Sequence, residues 1–115
     1  MSVEIYHNPR CSKSRQTLQL LKDHGVEPMV IEYLKTPPDR AALERILKML
    51  RIEPRDLMRK KEQEYKDNNL GDPNLTRDQL IDAMLAHPKL IERPIVIKNG
   101  KAALGRPPEQ VLEIL

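Results

Sequence analysis

Apolar and polar positions alternate over Val3-Glu4-Ile5-Tyr6, which predicts a short strand. Pro9, within His7-Asn8-Pro9-Arg10, blocks further pairing and predicts a loop. From Ser12 to about His24 the apolar period becomes helical through Thr17, Leu18 and Leu21, and Gly25 supplies the stop. Met29 to Leu34, rich in branched residues, predicts a second strand. Thr36 then reads as the N-cap of a helix opened by Pro37-Pro38, with Leu43, Ile46, Leu47 and Leu50 on its buried face. Residues 54–72 are polar and basic, with a short helix expected around Arg55 to Lys61. Thr76-Arg77-Asp78-Gln79 has the form of a capping box and opens a helix with Leu80, Ile81, Met84 and Leu85 inward; His87-Pro88 ends it. Pro94 to Lys98, Asn99-Gly100, and Lys101 to Leu104 predict a hairpin with a type I′ turn. Pro107-Pro108-Glu109 opens a last helix carrying Val111, Leu112 and Leu115.

The order is β-α-β, a helical middle, then β-β-α. The first two strands can pair in parallel through a right-handed crossover, and the hairpin can extend the same sheet. This is α/β architecture of the thioredoxin type: a mixed sheet with helices on both faces and an extra helical block between the βαβ and ββα halves. At 115 residues, the expectation is one domain, 1–115, with one modest core. The apolar runs are far too short to cross a bilayer, and no leader pattern opens the chain. The net charge of +3 comes from 20 basic and 17 acidic residues interleaved along the length, with stacking aromatics nearly absent. That pattern reads as a mixed-sign surface, and neither a nucleic-acid partner nor a membrane is expected.

One cysteine changes this bland picture. Cys11 cannot form an internal disulfide, and the chain is too poor in Cys and His for a metal cluster, so the reducing cytoplasm is the expected compartment. It falls where the first loop meets the first helix, where free backbone N–H groups and the helix dipole favour an anion. His7, Arg10, Lys13 and Arg15 crowd the same stretch. These influences lower a thiol pKa and produce a nucleophilic thiolate near neutral pH. A phosphatase-type loop needs an arginine six residues after the cysteine; position 17 is threonine. The redox C-x-x-C pattern reads here as Cys11-Ser12-Lys13-Ser14, with serine in place of the resolving thiol. Such a site can bond covalently to a substrate but needs an outside thiol to clear it. Arg93 and Arg106 stand at the two ends of the hairpin, which brings them together as a candidate clamp for a tetrahedral oxyanion. Arg59, in Leu57-Met58-Arg59-Lys60, is a further candidate.

Several segments together carry a family resemblance: Ile5 to Cys11 as Ile-Tyr-His-Asn-Pro-x-Cys, Ser14-Arg15, Tyr33 to Pro38, Leu57 to Lys60, His87-Pro88, Glu92-Arg93-Pro94-Ile95-Val96 and Gly105-Arg106-Pro107. Over nearly its whole length the chain resembles the glutaredoxin-dependent arsenate reductases of the thioredoxin superfamily, the ArsC type. The resemblance implies that Cys11 attacks arsenate or a similar oxyanion and that Arg59, Arg93 and Arg106 hold it. It further implies that His7 helps keep the cysteine ionised, that Asn8, Ser14 and Arg15 support the loop, and that the Arg93-Pro94 bond is cis. Glutathione is then the co-substrate and glutaredoxin the protein partner, with no tightly bound cofactor and no metal. Two other functions fit a thioredoxin-like chain: a monothiol oxidoreductase acting on glutathione mixed disulfides, and a non-catalytic redox regulator that binds RNA polymerase. The chain departs from the usual Cys-Gly-Thr-Ser-Arg at Ser12-Lys13, and has Gly105 where some members carry a second cysteine.

Overall fold

Four strands form one sheet in the order β2-β1-β3-β4. The computed structural model describes residues 2–115, in two compact units: the residues up to Thr36 together with Arg93–Leu115, and Pro37–Glu92. The first unit contains β1 (Val3–His7), α1 (Ser12–Asp23), β2 (Met29–Glu32), β3 (Ile95–Lys98), β4 (Lys101–Leu104) and a 3₁₀ helix over Pro108–Ile114. β1 pairs in parallel with β2 and antiparallel with β3, which pairs antiparallel with β4, so the fold is thioredoxin-like. The register sets Ile5, Val96 and Ala103 in one row across three strands. Side chains alternate across a sheet, so this row and Val3 share a face. That face forms a core with Leu21 of α1 and Val111 of the 3₁₀ helix, with Leu18, Val26 and Ile114 at its margin. Each of the larger aliphatic side chains contributes about 1.5–3 kcal/mol by leaving water.

The hairpin turn is as expected: Asn99 at φ 53° and Gly100 at φ 74° both take the left-handed conformation that a type I′ turn requires. Four elements differ from the sequence reading. β2 stops at Glu32, whose carbonyl accepts the Lys35 and Thr36 N–H groups and turns the chain. The last helix is 3₁₀ throughout, not α. Its apolar positions are too few to separate a period of 3.0 from one of 3.6.

The second unit is helical: α2 (Arg40–Leu50), a 3₁₀ turn at Pro54–Leu57, α3 (Gln63–Asp67), α4 (Arg77–Ala86) and a 3₁₀ turn at Pro88–Leu90. The other two differences lie here. The N-cap of α2 is Asp39, which accepts the Ala42 N–H at 2.8 Å, and not Thr36. Pro38 disfavours helical geometry at Pro37, and this pushes the start downstream. The helix expected at Arg55 to Lys61 is instead the 3₁₀ turn, which ends at Leu57; Met58 then bridges Ile91. The Thr76–Gln79 capping box forms as read, with the Gln79 N–H donating to Thr76 Oγ1 at 3.2 Å and the Thr76 N–H to Gln79 Oε1 at 2.8 Å. Leu43, Ile46 and Leu47 of α2 and Leu80, Ile81 and Met84 of α4 are buried. Ion pairs join the two helices from Arg40 to Asp78 and Asp82 and from Arg77 to Glu44. Among the described residues, no helix is long and apolar enough to cross a membrane.

Candidate active site

The stretch between β1 and α1 is tied to itself at nearly every residue. Asn8 accepts the Cys11 N–H on its carbonyl and the Arg10 N–H on Oδ1, both at 3.0 Å, closing a tight turn. Its own N–H donates to Ser14 Oγ at 3.0 Å, and the same oxygen lies 2.6 Å from His7 Nδ1. Ser14 is fully buried and His7 nearly so. Arg15 reaches back from α1 to donate to the Pro9 carbonyl at 3.0 Å. Asn8, Ser14 and Arg15 thus brace the loop.

Cys11 is the N-cap residue of α1, in extended geometry, with no capping bond from its side chain. Its residue exposure is 9%. Burial is the largest single influence on the thiol and opposes ionisation. It is outweighed by the Ser14 and Lys13 backbone N–H groups together with the Arg93 and Arg106 guanidinium groups, which hold the thiol below its ordinary pKa. His7 is shifted downward too, first by burial, with Arg15 and Lys22 adding to the fall and Glu32 opposing it. Burial thus favours the neutral form of the imidazole, whose Nδ1 lies against Ser14 Oγ.

The hairpin brings Arg93 and Arg106 together as its topology requires. Arg106 Nε donates to the Arg93 carbonyl at 2.8 Å, and Arg106 Nη2 lies 3.7 Å from Cys11 Sγ. The Arg93-Pro94 peptide is cis, as the resemblance implies; Arg106-Pro107 is cis as well, which the sequence reading did not anticipate. Nor did it anticipate the close packing of Gly105 against Thr17 and Pro94. Gly105 donates its N–H to the Pro94 carbonyl at 3.0 Å. A Cβ on it would meet Thr17 Oγ1 at 2.4 Å and Pro94 Cγ at 2.6 Å. The signal that could have found it is a glycine directly before a candidate arginine with no turn to explain it.

Arg59 belongs to the helical unit. Its guanidinium pairs with Glu62 at 2.8 Å and lies 3.5 Å from the Lys89 carbonyl, while its N–H donates to the Leu90 carbonyl at 2.7 Å. Within the first unit the structure gathers Cys11, His7, Ser14, Arg93 and Arg106. A low-pKa sulfur beside two guanidinium groups can attack an electrophilic centre whose oxygens those groups hold. With one cysteine in the chain, no internal thiol can release the product. Among the described residues, no group of three or more His, Cys, Asp or Glu side chains could hold a metal ion.

The model of the ArsC family matches residues 6–114. The chain is 61% identical to the uncharacterized protein YfgD of Escherichia coli K12, over 98% of this chain and 96% of that protein. It is 50% identical to an arsenate reductase of Haemophilus influenzae, with both chains covered completely. Among solved structures, an arsenate reductase from Vibrio cholerae superposes with a TM-score of 0.98 at 59% identity, covering 100% of this chain and 98% of that one.

Proposed function

This chain belongs to the ArsC family, and from that premise we propose that it reduces arsenate to arsenite through a covalent adduct on Cys11. The observation that carries the reading is the contact between Arg106 Nη2 and a Cys11 sulfur held below its ordinary pKa. In the first step the Cys11 thiolate forms an S–As bond; one As–O bond breaks and the oxygen leaves, protonated, as water. Arg93 and Arg106 hold the remaining oxygens and offset the charge that gathers on them. Arg59 is the third guanidinium that the family resemblance assigns to the anion.

Arsenic is still pentavalent at this stage. Glutathione adds through its sulfur as a second oxygen leaves as water. A glutaredoxin thiolate then takes the glutathione sulfur, forming a mixed disulfide and passing two electrons to arsenic. Water cleaves the remaining S–As(III) bond, releasing arsenite and restoring the Cys11 thiolate. What supports dependence on outside thiols is the single cysteine, with Ser14 at the resolving position. The reaction proceeds in the reducing cytoplasm on this reading.

The test is steady-state turnover of purified protein with arsenate, glutathione and glutaredoxin, beside turnover on a small glutathionylated disulfide. The reading expects arsenate turnover that Cys11→Ser abolishes. Turnover on the disulfide alone would make the chain a monothiol oxidoreductase instead.

A further inference from the structure

We propose that Arg10 and Lys13 form an outer cationic rim that selects an anionic low-molecular-weight thiol as the second reactant at Cys11; this rests on Cys11 being the nucleophile. The positive charges of the first unit fall into two sets. Arg93 and Arg106 are partly buried and lie against the sulfur's surroundings. Arg10 and Lys13 are exposed, one residue before and two residues after Cys11. Among the described residues, neither side chain has a hydrogen-bond or ion-pair partner, whereas the guanidinium of nearby Arg15 is committed to the Pro9 carbonyl. No acidic residue occurs anywhere from Ile5 through Lys22, so nothing within this stretch neutralises the rim.

The division matches two reactants of different size. A tetrahedral oxyanion fits within the reach of the inner pair. An incoming thiol delivers only its sulfur to the adduct; the rest of its body stays outside, over the loop and the first turn of α1. There Arg10 and Lys13 meet carboxylates on that body. In the step they assist, the thiol sulfur bonds to arsenic, one As–O bond breaks, and the thiol proton leaves with that oxygen as water. No electrons are transferred. Unneutralised charge around a reactive centre raises association rates of an oppositely charged reactant by about 10- to 1,000-fold, an effect that salt screens.

The test needs no arsenate. The Cys11 thiolate attacks an aromatic disulfide, forming Cys11–S–S–Ar and releasing one aryl thiolate, whose absorbance reports the rate. Two disulfides are compared: dianionic dithiobis(nitrobenzoate) and uncharged dithiodipyridine, at low and high salt. In the Arg10→Gln/Lys13→Gln protein the dianionic disulfide should react about tenfold more slowly at low salt, while the uncharged one keeps its rate. High salt should remove the difference between variant and wild type. Equal rates of the dianionic disulfide with both proteins, or a parallel loss with both disulfides, would overturn the proposal. Failure of wild type to react with either disulfide overturns the nucleophile itself, and so separates the two claims.

Discussion

Placing an alanine at position 105 tests the link between packing and chemistry. The added Cβ would lie 2.4 Å from Thr17 Oγ1, 3.1 Å from Thr17 Cγ2 and 2.6 Å from Pro94 Cγ. None of these atoms yields easily. Thr17 is fully buried and its hydroxyl donates to the Lys13 carbonyl at 2.8 Å, while Pro94 Cγ belongs to a ring. Overpacking of this kind costs about 1–3 kcal/mol, and two obstacles inside 3 Å place Gly105→Ala near the upper end, about 3 kcal/mol. Loss of backbone freedom in the unfolded chain returns about 0.4–1 kcal/mol. The net destabilisation is about 2 kcal/mol, a fall of about 8 °C in Tm at about 4 °C per kcal/mol for a chain of this size. Thermal and urea unfolding measure it. Thr17→Ala removes two of the three obstructing atoms, so a double-mutant cycle should show favourable coupling of at least about 1 kcal/mol. Activity should fall further than stability, because Gly105 precedes Arg106; a displacement of about 1 Å at such a group can cost about 100-fold. A Gly105→Ala protein with wild-type Tm and turnover, or a cycle in which the two changes simply add, would refute the reasoning.

Three further outcomes are expected. Arg106→Lys should weaken oxyanion binding by roughly 10- to 100-fold and raise the Cys11 pKa, since an ammonium cannot keep both the Arg93 carbonyl and the sulfur as the guanidinium does; calorimetric titration with arsenate on the Cys11→Ser background checks the first part. Because burial holds His7 below 6.5, the unfolded chain binds this proton more readily than the folded one, so the contribution to stability is complete above 6.5 and is lost as the pH falls below it. Thermal unfolding from about pH 7 to about pH 5 should show the decline, and His7→Gln should flatten part of it. Thr76→Ala, which breaks the capping box of α4, should cost about 1 kcal/mol in urea unfolding and leave Cys11 reactivity unchanged.

Features written in adjacent residues were legible in the sequence. Asn99-Gly100 fixed the hairpin turn, and Thr76 with Gln79 fixed the start of α4, because each signal and its consequence sit within one turn of chain. The same holds for the core of the site: His7, Asn8, Cys11, Ser14 and Arg15 fall within nine residues, and their mutual bonds close a local loop. Arg93 and Arg106 were found by topology, since antiparallel pairing of β3 and β4 forces their approach. The start of α2 was not legible, because Thr36 and Asp39 are both good caps and only the geometry imposed by Pro37-Pro38 decides between them. Nor was the Gly105–Thr17–Pro94 contact, which joins three distant positions by shape alone and leaves no chemical pattern to read.

The central claim is that backbone N–H groups and two guanidinium groups overcome burial and hold the Cys11 thiol below its ordinary pKa. Ultraviolet titration of thiolate absorbance measures this directly in the wild-type protein, with Cys11→Ser as the blank and with a non-reducible tetrahedral anion such as sulfate added in a parallel series. The account predicts an inflection below the ordinary thiol value that moves upward when sulfate shares the guanidinium groups. An inflection at or above the ordinary thiol value, unmoved by sulfate, would contradict it.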